Sequence, residues 1–291
     1  MVTRLERPDT RTVRLPNGRI LGYSESGAPD GAPVFVFHGL PGSRLQRHPD
    51  DSIARRAGVR GIHIERPGFG VSSPQPGRRL SDWPRDVAAV ADALGLTRFA
   101  IAGISGGGPS AAACVSALSP RITRAAIVSS VGPPESMTGR MTFAVRLGFF
   151  LGPRAAWALR IPVGMGARVG LRFPGLILDL VAGRMAPADR AILGRPEMRV
   201  MFAQDMAEAF RHGSRGFVQE LALIASPWKL DWHDATCPVE LWHGEDDWLI
   251  PPSASRHLAN AIPGARLRLF PREGHFMVFD RWRQLCEWLR A

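Results

Sequence analysis

The pentapeptide Gly103-Ile104-Ser105-Gly106-Gly107 is the segment with the clearest potential for covalent chemistry. It follows the apolar run 98–102 and precedes the small-residue helical segment 108–115. A strand, a Gly-x-Ser-x-Gly turn and a helix in this order are typical of a nucleophile elbow, which holds the serine out at the end of the strand. The glycines leave room for the crossing backbone, and the helix N-terminus directs free N–H groups at the same place. Ser105 is therefore predicted to be a nucleophile.

A serine hydroxyl needs a general base, and that base needs a carboxylate to orient it. The chain offers both after predicted strands, because three consecutive acids follow Gly244 and His275 follows the next strand. Both loops leave the carboxyl ends of strands, which is the edge where open α/β sheets place their sites. The Gly-x-x-Asp spacing favours Asp247 as the acid, but the residues themselves leave Glu245 and Asp246 as alternatives.

Taken in chain order, the motifs resemble those of the α/β-hydrolase superfamily over most of the predicted core. The stretches that carry the resemblance are His38-Gly-Leu-Pro-Gly42, Arg66-Pro-Gly-Phe-Gly-Val-Ser72, Gly103-Ile-Ser-Gly-Gly107, Gly244-x-x-Asp247-x-x-x-Pro251 and Gly274-His275. The resemblance implies that Ser105 is the nucleophile, that His275 is the general base and acid, and that Asp247 is the orienting carboxylate. Relatives that open epoxides or cleave carbon–halogen bonds have aspartate at the elbow, so the serine implies acyl chemistry instead.

Acyl transfer also needs two backbone N–H donors for the developing oxyanion. One is expected from Gly106, after the nucleophile, and one from the loop that follows the strand ending at His38. The resemblance assigns that second donor to Leu40. The supporting positions of the two motifs are His38, Gly39, Gly103 and Gly107. We interpret His38 as a structural histidine beneath this loop, with a catalytic base as the alternative. We expect structural roles for Glu65, where relatives often have aspartate, and for His243.

The elements that must position these residues alternate between strands and helices, which predicts βαβ units and a mostly parallel sheet. Asn17-Gly18 predicts an N-terminal hairpin, and Ser81 is the predicted N-cap of a helix. From about 135 to 230 the pattern is helical, with no convincing strand. We therefore predict the α/β class and an α/β-hydrolase fold, with a mostly parallel central sheet flanked by helices. Its core comprises residues 1–134 and 231–291, and an all-helical cap or lid, residues 135–230, is inserted between them.

Composition excludes several other function classes. The formal net charge is +11 and comes almost entirely from arginine, since Lys229 is the only lysine. No basic run with interleaved aromatics is present, so no nucleic-acid partner is expected. The three cysteines form no CxxC pair, and no His/Cys/Asp cluster has ligand spacing, so we expect neither a metal nor a cofactor.

The first nine residues lack the apolar stretch of a signal peptide. Arginines and prolines interrupt every apolar run, so we expect a cytoplasmic protein without a membrane span. The oligomeric state is left open.

The inserted segment is rich in methionine and in positive charge. Seven of the nine methionines fall in it, together with nine phenylalanine and tryptophan residues. Methionine adapts to irregular space, so this composition favours an apolar substrate pocket, with an ordinary cap core as the alternative. The segment also has six more basic than acidic residues. Solvated helix faces account for such an excess; the sharper hypothesis is a substrate with an anionic handle, such as a carboxylate, a CoA ester or a carrier-bound acyl group.

These observations predict a carboxylesterase-like serine hydrolase. Its substrate would be an ester, thioester or lactone of a mainly apolar small molecule, cleaved through an acyl-enzyme on Ser105. Two alternatives use the same residues differently. One is a C–C bond hydrolase, lyase or cyclase of secondary metabolism, and the other is a ligand receptor built on a hydrolase scaffold.

Overall fold

The computed structural model describes residues 9–291. Residues 1–8, on which the absence of a signal peptide was predicted, lie outside the described part. Within residues 9–291 eight strands form one sheet in the order β1-β2-β4-β3-β5-β6-β7-β8. The strands are β1 Arg11–Arg14, β2 Ile20–Gly27, β3 Ala32–Phe37, β4 Val59–Ile64, β5 Phe99–Ile104, β6 Ile122–Val128, β7 Val239–Gly244 and β8 Arg266–Phe270.

Strand pairing places the candidate residues at one edge of the sheet. β1 and β2 form the predicted hairpin, β2 also pairs antiparallel with β4, and every later pair is parallel. The central strands β5 and β7 are buried along their whole length. This burial suits the continuous apolar sequence of β5, because helices cover both faces of a parallel sheet. The carboxyl ends of β3, β5, β7 and β8 therefore meet at a common edge.

Helices flank this sheet and fill the predicted insertion. Within the described residues the α-helices are α1 Ser52–Arg56, α2 Trp83–Ala93, α3 Gly108–Leu118, α4 Phe143–Arg172, α5 Pro174–Ala182, α6 Pro187–Leu193, α7 Pro196–Ala209, α8 Arg215–Ile224, α9 Ser253–Ala261 and α10 Trp282–Arg290. Helices α4 to α8 follow β6 and precede β7, and we call them the cap. The predicted α/β-hydrolase fold is confirmed. None of these helices combines the length and the hydrophobicity that a membrane crossing requires.

The prediction of Ser81 as a helix N-cap is wrong. Residues Leu80–Asp82 form a short 3₁₀ turn, and α2 begins at Trp83. The Asp82 carboxylate accepts the Arg79 N–H at 2.8 Å, which closes this turn before the α-helix starts. Ser81 therefore lies inside the 3₁₀ turn, and Asp82 occupies the N-cap position of α2.

Buried carboxylates attach the cap to the core. Asp205 on α7 accepts hydrogen bonds from the Ser43 N–H and hydroxyl, both at 2.7 Å, and from the Gln46 amide at 3.0 Å. Glu208, one turn later, pairs with Arg44 at 2.6 Å. Since all these side chains are buried, they fix the cap against the loop that follows β3.

A second anchor joins α8 to the loop that follows β4. Glu220 lies between two buried arginines, Arg66 at 2.8 Å and Arg78. Burial lowers the pKa of Arg66 to about 9 and that of Arg78 to about 9. Arg66 also donates to the carbonyl oxygens of His38 and Gly39. Removing one member of a buried ion pair typically costs about 3–5 kcal/mol, because its partner is left charged and unpaired. The cap is therefore part of the structure that holds the loop after β3.

Candidate active site

Ser105 sits in a strained turn at the carboxyl end of β5. Its φ is +53°, which is in the left-handed region that non-glycine residues rarely adopt. A 3₁₀ turn over Ser105–Gly107 leads directly into α3. A Cβ added at Gly107 would lie 2.2 Å from the Phe37 carbonyl oxygen, and one at Gly103 would lie 2.6 Å from the Ala111 Cβ. Only glycine fits these two positions, so the backbone has the geometry predicted for a nucleophile elbow.

Ser105, His275 and Asp247 form one continuous hydrogen-bonded chain. The Ser105 Oγ is 3.0 Å from the His275 Nε2, and the His275 Nδ1 is 2.8 Å from the Asp247 Oδ2. The other carboxylate oxygen of Asp247 accepts the N–H groups of Leu249 and Ile250, each at 2.9 Å. This pattern assigns the proton to Nδ1 and leaves Nε2 free to accept the serine proton.

The structure distinguishes the three consecutive acids after β7. Asp247 is 2% exposed and contacts His275, whereas Glu245 and Asp246 are exposed. His243, at the end of β7, is also buried, with its Nε2 3.2 Å from the Asp247 Oδ2 and its Nδ1 2.7 Å from the Ser255 hydroxyl. Asp247 is therefore the acid placed to orient His275, and His243 packs behind it.

The charges within this hydrogen-bonded chain shift the pKa values of both Asp247 and His275. Burial opposes ionisation of Asp247, but His275 and the hydrogen bond from His243 outweigh it and lower the Asp247 pKa. Burial also opposes protonation of His275, but the charge and hydrogen bond of Asp247, together with the charge of Asp189, raise the His275 pKa above its ordinary value. The carboxylate thus stays charged, and the imidazole becomes a stronger base than a free histidine.

The two residues expected to supply the oxyanion donors, Gly106 and Leu40, lie close together. A Cβ added at Gly106 would lie 2.6 Å from the Leu40 Cβ and 3.1 Å from the Leu40 backbone nitrogen. Gly39 is held on both sides, since its N–H donates to the Gln46 Oε1 at 2.5 Å and its carbonyl accepts from Arg66 at 2.8 Å. These bonds fix the loop that presents Leu40 toward Ser105.

His38 has the environment of a structural histidine. Its Nδ1 donates to the Gly39 carbonyl at 2.8 Å, and its Nε2 accepts the Arg66 N–H at 3.2 Å. Burial and the charge of Arg66 hold its pKa well below the usual range. A neutral imidazole with both nitrogens occupied cannot serve as the base for Ser105. Glu65 is likewise buried and paired with Arg44, and it accepts the Val71 N–H at 2.8 Å.

Asp189 is a site residue that sequence reasoning missed. Although it belongs to α6 in the cap, its Oδ2 accepts the His275 N–H at 2.9 Å and its Oδ1 accepts the Phe276 N–H at 2.8 Å. It is fully buried, and a Cβ added at Gly274 would lie 2.2 Å from its Oδ2. The loop motif Gly274-His275 thus wraps around a carboxylate from the cap. In the sequence Asp189 is an acid in the first turn of a short helix, which is a common and unspecific position.

We expect Asp189→Asn to lower the plateau of kcat/KM for an ester substrate by roughly 10- to 100-fold, because small displacements of a catalytic group have effects of this size. The substitution also removes a negative charge that raises the His275 pKa. Since His275 must be neutral to accept a proton, activity is lost as the pH falls through that pKa. The acidic limb of the pH profile should therefore move to lower pH in the variant.

The control is Glu197→Gln, which removes an exposed acid from α7 of the same cap. Its plateau and its acidic limb should match those of the wild type. A purely structural role for Asp189 would lower the plateau and leave the limb in place, and that result would contradict the positioning role.

An apolar cluster lies between the Leu40 loop and the cap. Its buried members are Phe69 of the core and Ala167, Ala209 and Phe210 of the cap, with Leu40, Val163, Met206 and Phe217 packed against them. The methionines of the insertion do not form one pocket. Met185, Met198 and Met201 are buried in a different cluster with the sheet, and Met165 is 58% exposed. Most of them therefore act as packing residues.

No group of three or more His, Cys, Asp or Glu side chains within residues 9–291 is placed to hold a metal ion. The cysteines Cys114, Cys237 and Cys286 are free and buried.

Comparison with known families agrees with this geometry. A family model described as the alpha/beta hydrolase fold matches residues 32–281. The chain belongs to the α/β-hydrolase fold family. The matched residues run from the start of β3 to Arg281, just before α10, so they include the cap and the greater part of both core segments. The family inferred from the sequence motifs is confirmed.

Similar proteins extend over almost the whole chain. An uncharacterized hydrolase of Bacillus subtilis (strain 168) is 26% identical over 269 residues, which is 90% of this chain and 90% of that protein. An α/β hydrolase fold protein from Nakamurella multipartita has a TM-score of 0.73 at 22% identity, covering 97% of this chain and 99% of that one. The enol-lactonase from Burkholderia xenovorans LB400 has a TM-score of 0.67 at 21% identity, covering 95% and 97%. These two solved structures share the fold.

Proposed function

We propose that this α/β-hydrolase is a carboxylesterase-like serine hydrolase acting on an ester, thioester or lactone of a mainly apolar small molecule. The observation that carries the proposal is the hydrogen-bonded chain from the Ser105 Oγ through His275 to the buried Asp247, at 3.0 and 2.8 Å. Serine, histidine and carboxylate in this geometry are the parts that acyl transfer to a serine requires.

In the proposed reaction the His275 Nε2 removes the Ser105 proton as the Oγ attacks the substrate carbonyl carbon. The carbonyl oxygen becomes an oxyanion between the N–H groups of Leu40 and Gly106, where each such donor is worth about 2.7–4 kcal/mol. The tetrahedral intermediate collapses, the alcohol or thiol leaves with the proton from His275, and an acyl-serine remains. A water molecule, deprotonated by His275, then attacks the acyl carbon and releases the acid and free Ser105.

Two observations support an apolar substrate. The apolar cluster described above begins at Leu40, a proposed oxyanion donor, and continues into α4, α7 and α8 of the cap. Phe276 follows His275 directly, with their rings 5.2 Å apart. Apolar walls with a few polar groups are typical of small-molecule sites. A lactone is included in the substrate class because the fold is similar to that of an enol-lactonase.

The proposal predicts that a fluorophosphonate labels the protein at one site. One phosphonyl group per chain should be found by intact mass spectrometry, and peptide mapping should place it on Ser105. The matched control is Ser116→Ala on α3, the helix that follows the elbow, and it should label fully. Continued stoichiometric labelling of Ser105→Ala would contradict the proposal. A panel of p-nitrophenyl esters of increasing acyl length then measures the preference for apolar acyl groups.

A further inference from the structure

The outer face of the cap exposes an unusual amount of apolar surface. Every large hydrophobic side chain that is strongly exposed among residues 9–291 lies between residues 143 and 180. These side chains are Phe143, Leu147, Phe150, Trp157, Ile161, Met165, Val169, Leu171, Phe173, Leu176 and Leu180. Trp157 is 76% exposed and Phe143 is 77% exposed. Exposed apolar patches of this kind are typically binding sites. We call it the outer cap face.

The sequence of α4 places small residues inward and large ones outward. Its buried residues are Gly148, Gly152, Ala167 and Gly170. A Cβ added at Gly148 would lie 3.3 Å from Leu221 of α8, which shows how closely the two helices approach. The outward residues recur at intervals of three and four, as 143, 147 and 150 before the kink at Ala155 and as 157, 161 and 165 after it. Each half of α4 therefore turns its larger apolar side chains away from the protein.

The same helix is strongly basic. It contains Arg146, Arg154, Arg160, Arg168 and Arg172 and no acidic residue. All five arginines are exposed, and none takes part in an ion pair with another described residue. Arg154 lies over the Phe150 ring at 4.8 Å and Arg172 over the Phe173 ring at 5.2 Å. The apolar and the cationic groups thus belong to one surface.

We propose that the outer cap face binds the surface of an anionic lipid membrane, with α4 lying in the plane of the interface. Aromatic and aliphatic side chains on one face of a helix enter the boundary of the acyl chains, while the adjacent arginines contact anionic headgroups. A second copy of this chain fits less well, because a symmetric pairing would place five unpaired arginines of each copy against those of the other. The proposal uses none of the residues of the Ser105 site and does not depend on the proposed reaction.

The test is flotation of the full-length protein with vesicles of phosphatidylcholine alone or with 30% phosphatidylglycerol. We expect binding to the anionic vesicles, with weak binding to the neutral ones, and a loss of at least 10-fold in partitioning at 0.5 M salt, because salt screens the headgroup attraction. The triple variant Arg154→Gln, Arg160→Gln, Arg168→Gln should bind roughly 100-fold less, since each arginine near such a surface contributes about a factor of five. Trp157→Ser with Ile161→Ser should also weaken binding, by roughly 10-fold or more.

The matched control removes three exposed arginines outside the cap, Arg14→Gln, Arg98→Gln and Arg283→Gln. It has the same net charge as the cap variant and should bind anionic vesicles within about two-fold of the wild type. Equal losses of vesicle binding in both triple variants would show that overall charge alone causes the binding, and this would overturn the proposal. Absence of vesicle binding, together with a dimer that dissociates on Trp157→Ser, would overturn it in favour of a second copy. Thermal melting of each variant checks that the fold is retained.

Discussion

Ser105→Ala is expected to lower kcat/KM for a p-nitrophenyl ester by roughly 10⁴-fold or more, the size seen when a serine nucleophile is removed from other enzymes. The expectation rests on the 3.0 Å contact between the Ser105 Oγ and the His275 Nε2. Without the hydroxyl no acyl-enzyme forms, and the remaining donors can only assist direct attack by water. The measurement is steady-state hydrolysis by wild type and variant at one pH, above the acidic limb.

Ser116→Ala is again the control and should retain wild-type turnover. Because alanine keeps a Cβ at φ +53°, the backbone strain is unchanged and Ser105→Ala should unfold at a temperature close to that of the wild type. Esterase activity within about ten-fold of wild type in a properly folded Ser105→Ala would contradict the covalent mechanism. Retained cleavage of a diketone that still requires His275 would favour the C–C hydrolase alternative.

The elbow could be predicted from sequence because its requirements are local. The positions of Gly103 and Gly107 are set by backbone contacts within a few residues of Ser105 or with the adjacent strand β3. Asp247 and His275 follow strands in the chain, and parallel strands bring their carboxyl ends to one edge. The order of the motifs along the chain is therefore enough to predict that Ser105, Asp247 and His275 lie close together, without knowledge of the side-chain packing.

The cap could not be predicted in this way. Asp189, Asp205, Glu208 and Glu220 are ordinary acids of amphipathic helices in the sequence, but all four are buried against the core. Which acid faces inward depends on where each helix is placed, and helical periodicity does not specify that placement. In the sequence these residues are only negative charges of the insertion, and nothing in it marks the carboxylate that holds the His275 backbone.

The sequence shows that the insertion is rich in apolar residues, but it does not show how these residues are distributed among a pocket, the core and the exposed surface. Methionine and aromatic residues together favour an apolar pocket, with an ordinary cap core as the alternative. In the structure Met185, Met198 and Met201 pack against the sheet, whereas Phe143 and Trp157 face outward. Hydrophobicity alone does not distinguish a pocket, a core and an exposed surface. That distinction requires the small residues of α4, which turn its larger side chains away from the protein.

Asp247→Asn is expected to lower kcat/KM by roughly 10³- to 10⁴-fold, and Asp246→Asn by less than about two-fold. The adjacent carboxylates differ in burial, and only Asp247 reaches the His275 Nδ1, at 2.8 Å. An asparagine at 247 can turn its amide N–H₂ toward Nδ1, which places the imidazole proton on Nε2 and prevents it from accepting the Ser105 proton. The loss of charge also lowers the His275 pKa, since Asp247 is a main cause of its increase.

These two effects of Asp247→Asn are separable by pH. The acidic limb should move to lower pH because His275 holds its proton less tightly, while the plateau falls because the neutral imidazole has the wrong tautomer. Profiles of kcat/KM against pH for wild type, Asp247→Asn and Asp246→Asn provide the measurement. An unchanged profile in Asp247→Asn, or a larger loss in Asp246→Asn, would mean that the acid loop is arranged differently during turnover. If both limb and plateau change only in Asp247→Asn, the buried carboxylate both orients His275 and sets its basicity.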